Sequence, residues 1–227
     1  MPFQLADVVP WGRTFDEYVA MFSLDEADRS RSILGCADGP ASFNAEALRR
    51  AVKVVSADPL YQFSVAQIRG RIAATAPAIA RQLRDNAQDF LWSHFKSVDE
   101  LVAARMAAMQ VFLADLATGL EQGRYVPAEL PDLPFLDATF DLALCSHFLF
   151  LYSEQFDAGF HIAALRELCR VAHEVRVFPL LELGGTRSRH VPQVIEALRA
   201  NGCAVAIEQV GYEFQKGGNE MLRITPV

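Results

Sequence analysis

The chain has 227 residues, of which 52% are hydrophobic and 22% charged, and its formal net charge is −7. This composition is typical of a globular protein with a large core and excludes a disordered chain. A negative surface repels phosphate backbones, so nucleic acid is disfavoured as the main partner.

The cysteines and the apolar runs indicate where the protein resides. Cys36, Cys145, Cys169 and Cys203 are scattered without a C-x-x-C pair, which predicts neither a disulfide framework nor a metal site and favours a reducing cytoplasm. Residues 1–13 lack the basic and apolar regions of a secretory signal. We also expect no apolar run to reach the roughly 20 residues that cross a bilayer.

The first elements predict the start of a parallel sheet. Thr14 can cap a helix with Phe15, Tyr18, Val19 and Phe22 on its apolar face. Residues 33–34 and 52–56 are β-rich and flank a helix over 45–51, a strand–helix–strand unit of the kind that builds parallel sheets. We expect one domain over 1–227, with 1–30 as an N-terminal helical cap.

The middle of the chain has helical periodicity. Residues 64–122 are too long for an ordinary crossover between strands, so we predict a helical insertion. Ser97 and Glu100 form the pattern of a capping box at the start of its second helix.

The remaining elements complete the predicted sheet. Strands are expected at 124–126, 140–145 and 174–181, and helices at 158–171 and 191–200. Two β-rich runs at 205–214 and 221–225 are joined through Gly217-Gly218-Asn219, which favours an antiparallel hairpin. The sequence therefore predicts a mostly parallel sheet with one reversed strand.

The loop after the first strand, residues 35–43, is the first candidate ligand site. Small residues there let a ligand approach the backbone, at the sheet edge where open α/β folds bind ligands. The dinucleotide pattern G-x-G-x-x-G and the phosphate-binding loop are both absent. A tight turn without a ligand is the alternative.

Asp58 strengthens the case for a ligand. It ends the second strand 19 positions after Gly39 (58 − 39), near the spacing of about 20 at which an acidic residue receives ribose hydroxyls. The alternative is a carboxylate that caps the turn at Pro59.

Residues 133–147, LPFLDATFDLALCSH, carry a family resemblance. They are similar to the LPF-x-D-x-x-FD stretch before the fourth strand of class I S-adenosylmethionine-dependent methyltransferases, and the terminal hairpin is similar to that family's reversed seventh strand. The resemblance covers residues 31–61 and 123–227. It implies an α/β, Rossmann-like, mostly parallel seven-stranded sheet with an antiparallel C-terminal hairpin strand, plus the helical insertion.

The resemblance also implies a cofactor, S-adenosylmethionine, and residues that bind it. By position these are Gly35, Cys36, Ala37 and Gly39 along the methionine part, Asp58 on the ribose, Pro59, Leu60, Glu129 and Leu130 around the adenine, and Ser146 near the methyl group. His147 follows Ser146 and is the candidate base, with a packed structural histidine as the alternative. No metal is expected.

The glycine loop departs from the family pattern. The family's acid-x-Gly-x-Gly-x-Gly is represented here by Gly35, Ala37, Gly39 and Ala41, so the acid at the strand end is absent. This departure keeps a non-catalytic cofactor-binding sensor or scaffold open as an alternative to the enzyme. A third alternative, an NAD(P)-dependent oxidoreductase, is disfavoured by the missing dinucleotide pattern.

The acceptor is the part that the sequence leaves open. We expect a small molecule, bound beneath a lid that Trp11, Tyr18, Trp92 and Arg105 could line, unless these side chains belong to the core. A macromolecular acceptor such as RNA would need a basic groove, for which the candidates are Arg49, Arg50, Arg69 and Arg71. A homodimer is compatible with the sequence.

Overall fold

The computed structural model describes residues 9–226, which form seven strands in the order β3-β2-β1-β4-β5-β7-β6. The strands are β1 (Ser32–Cys36), β2 (Lys53–Ala57), β3 (Tyr125–Val126), β4 (Leu142–Ser146), β5 (Val175–Phe178), β6 (Ala204–Gln209) and β7 (Glu220–Thr225). Strands β1 to β5 pair in parallel, and β7 runs antiparallel to both β5 and β6. The predicted sheet with a reversed hairpin strand is confirmed. Residues 1–8 of the predicted cap, and Val227, lie outside the described residues.

The helices are α1 (Phe15–Phe22), α2 (Glu26–Arg29), α3 (Phe43–Arg49), α4 (Val65–Asp85), α5 (Val98–Glu121), α6 (Ala158–Val171) and α7 (Val191–Ala200). Helices α6 and α7 have the predicted bounds. Helix α1 begins after Thr14, whose side chain accepts the Glu17 N–H while the Glu17 carboxylate accepts the Thr14 N–H. These reciprocal bonds satisfy donors that a helix start leaves free, so the local sequence sets where α1 begins.

The sheet is covered on both faces, which is why its central strands are continuously apolar. Every residue of β4 is buried. One face packs against α6 and α7 through residues such as Leu165 and Leu198, and the other packs against α1 and α3 through Phe15 and Phe43. Cys36 is paired in register with Ala57 on β2 and with Cys145 on β4, so β1, β2 and β4 end close together at one edge of the sheet.

The hairpin at the end of the chain is looser than predicted. Strand β6 ends at Gln209 rather than at 214. The chain then leaves the sheet, because the Phe214 ring stacks on Phe90 at 4.8 Å and the Phe214 carbonyl accepts the Leu91 N–H at 2.7 Å. The apolar residues after 209 therefore serve a contact with the helical segment.

The predicted helical segment contains α4 and α5, which pack on each other, and α5 also contacts α3 and β3. Ser97 caps α5 by accepting the Glu100 N–H, but the Glu100 carboxylate accepts the Lys96 N–H, so the predicted capping box is only half formed.

Helix α5 differs from the expectation that no apolar run reaches the length that crosses a bilayer. Within residues 9–226 it is the one helix long and apolar enough to cross a membrane by length and composition, with a mean hydropathy of 1.4. Its apolar side chains Phe112 and Leu116 are buried in a cluster shared with α4 and β3. Its Arg105 forms a buried ion pair with Glu17, so α5 packs one side against the rest of the fold, and 39% of its apolar stretch is buried.

Candidate active site

A cavity of about 960 Å³ opens at the carboxyl ends of β1, β2 and β4, at the upper end of the range for ligand pockets. Helix α4 and residues 9–13 supply two further walls. All predicted site residues except Gly35 line this cavity: Cys36, Ala37, Gly39, Asp58, Pro59, Leu60, Glu129, Leu130, Ser146 and His147. The structure therefore brings together residues that are up to about a hundred positions apart in the chain.

Asp58 stands directly after β2 and holds two loops together. Its carboxylate accepts the Gly39 N–H at 2.8 Å and the Leu60 N–H at 2.7 Å. Burial raises the pKa of Asp58 from 3.8 to about 6, although both N–H groups favour the charged form. The capping role and the ligand role are compatible, because a carboxylate has about four acceptor positions and two stay available.

Asp38 fills the place of the missing acid in the loop. A Cβ on Gly35 would lie 1.9 Å from Asp38 Oδ2, so the Asp38 carboxylate occupies the volume that a side chain at position 35 would take. Tyr18 and Ser56 each donate a hydroxyl hydrogen bond of 2.7 Å to this carboxylate. Gly35 therefore does not contact the cavity, and its role is to make room for Asp38.

Burial also changes the acidity of Asp38. Despite its two hydroxyl donors, burial raises the pKa of Asp38 from 3.8 to about 7, and the nearby Asp58 carboxylate adds to the rise. The two acids at the carboxyl ends of β1 and β2 therefore share the cavity with reduced negative charge at neutral pH.

The backbone is left-handed at three positions around the cavity. Ala37, Gly39 and His147 have φ values of 57°, 54° and 51°. Residues other than glycine rarely adopt this conformation, and such strain concentrates at functional sites. Hydrogen bonds hold it in place here, from the Ala37 N–H to the Ala57 carbonyl (2.8 Å) and from the His147 N–H to the Phe178 carbonyl (2.7 Å).

His147 presents a neutral imidazole to the cavity. Its Nδ1 lies 2.9 Å from the Ser146 hydroxyl, and its ring meets Phe178 edge-on. Burial, followed by the charges of Arg13 and Arg105, holds the pKa of His147 well below 6.5. The imidazole is therefore uncharged at neutral pH and able to accept a hydrogen bond from a ligand.

A cluster of charges formed by Arg13, Arg105, Glu17 and Tyr212 lies on the α1 side of the cavity. Arg105 is buried and forms an ion pair with Glu17, which also accepts the Tyr212 hydroxyl at 3.1 Å. Burial alone would raise the pKa of Glu17, but Arg105 and Arg13 outweigh it and lower the value to about 2. Arg13 lines the cavity, and burial together with the charge of Arg105 lowers the pKa of Arg13 from 12.5 to about 10.

The predicted lid residues divide into two groups. Trp11 and Tyr18 line the cavity. Trp92 and Arg105 do not, because the Trp92 indole donates to the Ala87 carbonyl and Arg105 pairs with Glu17. Ile68 and Leu83 of α4 cover the cavity instead.

The other candidates can also be placed. Of the four arginines considered for a basic groove, Arg71 alone is in the cavity wall; Arg49, Arg50 and Arg69 are not. Within residues 9–226, no group of three or more His, Cys, Asp or Glu side chains is arranged to hold a metal ion.

Asp38 and Arg13 are the charged residues of the cavity wall that sequence reasoning missed. Asp38 lies inside the loop that was singled out, but its carboxylate turns back to position 35, a path that no linear pattern encodes. Arg13 comes from outside the family resemblance. An isolated arginine before a helix gives no sequence signal, because its importance depends on what packs around it.

The strand order and the reversed β7 are those of the class I S-adenosylmethionine-dependent methyltransferase fold. The magnesium protoporphyrin IX methyltransferase of Synechocystis PCC 6803, solved with bound S-adenosylhomocysteine, has this fold. It matches 94% of this chain and 81% of its own with a TM-score of 0.50 and 14% identity. A SAM-dependent methyltransferase from Aquifex aeolicus matches 93% of each chain with a TM-score of 0.46 and 15% identity.

One relative is similar along almost the whole sequence. The chain is 34% identical over 221 residues to the uncharacterized protein MJ0045 of Methanocaldococcus jannaschii, an alignment that covers 97% of each. The chain belongs to the family of this archaeal protein. No family model matches this chain.

Proposed function

We propose that this protein binds S-adenosylmethionine and transfers its methyl group to a small-molecule acceptor. The observation that carries the proposal is the position of Asp58. Its carboxylate faces the Ala37–Gly39 turn inside one cavity that also holds Ser146 and His147. An acid after β2, a close-approach loop after β1 and a polar pair at the end of β4 form an arrangement that suits an adenosyl cofactor and an acceptor.

The residues present fit the cofactor. Asp58 retains two acceptor positions for the two ribose hydroxyls. Beside it, a Cβ on Gly39 would meet nothing closer than Asp58 Oδ2 at 4.0 Å, so the turn leaves open space for a ligand. Leu60 and Leu130 line the cavity with apolar surface, suited to an adenine ring.

The protein's contribution to the reaction is alignment and exclusion of water. The cofactor supplies an electrophilic methyl group on a sulfonium. Trp11, Tyr152 and Phe156 enclose the neighbouring part of the cavity, which holds an acceptor away from solvent. The neutral His147 imidazole accepts a hydrogen bond, and then a proton, from an acceptor hydroxyl or amine. Its lowered pKa makes it a weak base, so we expect positioning to contribute more than proton abstraction.

The cavity wall also favours a small acceptor with apolar character. Phe148, Phe156 and Phe160 form an aromatic group beside Tyr152. The Synechocystis protein of the same fold is named as a methyltransferase of magnesium protoporphyrin IX, which is not a macromolecule. We further propose that the protein acts in the cytoplasm.

The test is a calorimetric titration with S-adenosylmethionine, S-adenosylhomocysteine and NAD. We expect micromolar binding of both adenosyl ligands and none of NAD. Asp58→Ala should weaken adenosyl binding at least tenfold, and Asp85→Ala, which removes an exposed carboxylate at the end of α4, should leave it unchanged. Absence of adenosyl binding in the wild type would refute the proposal. Binding without turnover on a broad acceptor panel would favour the sensor.

A further inference from the structure

The charge cluster beside the cavity has an excess of one positive charge. Arg13 and Arg105 carry two positive charges, and Glu17, whose pKa is lowered to about 2, carries one negative charge. Glu17 is engaged with Arg105 and Tyr212, and within residues 9–226 no carboxylate lies within ion-pair distance of Arg13. A cation enclosed without a counter-ion is unfavourable. The excess charge therefore calls for an anion that residues 9–226 do not supply.

The guanidinium of Arg13 has one edge free. Its Nη1 donates to the Trp11 carbonyl at 3.2 Å. Its Nε is buried and has no hydrogen-bond partner, and Nη2 has none among the described residues. Nε and Nη2 form the edge on which arginine binds a carboxylate through two parallel hydrogen bonds.

Arg13 lines the cavity and lies next to the loop after β1. The Arg13 carbonyl accepts the Ser42 N–H at 2.9 Å, and Gly12 packs so closely on Pro40 that a Cβ would lie 2.2 Å from the Pro40 carbonyl oxygen. The charge of Arg13 also lowers the pKa of His147, after burial. Arg13 thus adjoins both the loop after β1 and the residue after β4.

We propose that Arg13 is an anion-binding residue of the cavity that takes one carboxylate group of a bound ligand. A monoanion matches the single excess charge, whereas a phosphate dianion would exceed it by one negative charge. The carboxylate comes from the amino-acid part of the cofactor or from the acceptor. The inference rests on the proposed function for the identity of these two ligands.

Two ligand pairs that differ in a carboxylate test the proposal by calorimetry. The first pair is S-adenosylmethionine and its decarboxylated analogue. The second is 2-naphthoate and 2-naphthamide, titrated into protein with and without S-adenosylhomocysteine. We expect the carboxylate member of at least one pair to bind at least tenfold more tightly, and Arg13→Gln to abolish that preference. Arg13→Lys, which keeps the charge but not the two-donor edge, should keep part of it.

The control is Arg69→Gln, because Arg69 is exposed on α4 and outside the cavity wall. The Arg69→Gln variant should keep the wild-type preference for the carboxylate ligands. If Arg13 had only a structural role, its replacement would lower the melting temperature. Since burial and Arg105 disfavour the charge of Arg13, we expect Arg13→Gln to melt at the wild-type temperature or above.

The outcomes separate the two proposals. If Arg13→Gln loses the carboxylate preference in the first pair, the carboxylate belongs to the cofactor. If it loses the preference in the second pair, the carboxylate belongs to the acceptor. Absence of a carboxylate preference in both pairs, or a preference that survives Arg13→Gln, overturns the role of Arg13. If no adenosyl ligand binds at all, the proposed function fails, and the naphthoate pair still tests Arg13 on the ligand-free protein.

Discussion

Asp38 is the residue on which the shape of the ligand loop depends. The protonation of its carboxyl group affects the stability of the protein. Its pKa is raised from 3.8 to about 7, mainly by burial, so the folded state favours the neutral form. The stability that this group contributes is complete below its unfolded value of 3.8 and is lost as the pH rises through about 7.

A neutral replacement should remove this pH dependence. Asparagine at position 38 can accept from Tyr18 and donate to Ser56, the two present partners of Asp38. We expect the fall in melting temperature between pH 5 and pH 8 to be smaller in Asp38→Asn by about 3 °C or more. Asp85→Asn serves as the surface control. Equal pH dependence in wild type and Asp38→Asn would contradict the assignment.

Ala37 stands at a position where the class I methyltransferase pattern has glycine. The backbone conformation of Ala37 is one that glycine adopts more easily. With a φ of 57°, alanine is strained by about 1–2 kcal/mol, more than glycine's entropic cost of about 0.5–1 kcal/mol. Ala37→Gly should therefore raise the free energy of unfolding by about 0.5 kcal/mol in urea titrations. The matched variant Ala45→Gly, in α3, should lower it by about 1 kcal/mol. A loss of stability in both variants would disprove the strain.

The positions of site residues were predictable from sequence where they depend on strand ends. Asp58 and His147 follow strands β2 and β4, so an apolar run and its last residue suffice to place them. Gly35 was predicted to bind the cofactor, but it lies outside the cavity wall and leaves room for the Asp38 carboxylate. Asp38 and Arg13 act through contacts with α1, β2 and the N-terminal segment, which are properties of the packed molecule.

Among the elements, α1 and α5 are joined by the buried pair Glu17–Arg105. Their side chains are 11% and 2% exposed. Removing one partner of such a pair leaves a buried charge uncompensated, so Glu17→Gln or Arg105→Met alone should cost about 3–5 kcal/mol of unfolding free energy. The double variant should cost less than the sum of the two single changes.

A surface pair provides the comparison for this prediction. Arg84 and Asp99 are 56% and 81% exposed, so Arg84→Met should cost less than about 1 kcal/mol. Chemical unfolding of all four variants measures the difference. Strictly additive costs at Glu17 and Arg105, or a cost at Arg105 as small as that at Arg84, would show that the pair does not join the two helices.

The elements themselves follow from local sequence where a cap or a periodic face defines them. Thr14 placed the start of α1, and the helix predicted at 158–171 has the bounds of α6. The end of β6 could not be predicted, because Phe214 is as β-prone as the residues before it and is drawn away by Phe90. Long-range contacts decide such cases.

At the scale of the whole molecule, the mostly parallel sheet with one reversed strand was predictable, although the crossover from β3 to β4 passes β2 and β1 and is not local. Strand–helix–strand units give parallel neighbours, and the terminal runs give the reversed β7. The cavity is a consequence of that order, because β1 and β4 are adjacent while their connections leave in opposite directions. The path of α4 over the cavity has no such rule, since it depends on how the α4–α5 pair packs.

A crystal structure of the protein with S-adenosylhomocysteine would test the central claim most directly. We expect both ribose hydroxyls within hydrogen-bond distance of the Asp58 carboxylate, the adenine against Leu60 and Leu130, and the sulfur facing the part of the cavity that holds His147. A ligand bound elsewhere, or a cavity that stays empty at saturating ligand, would contradict it.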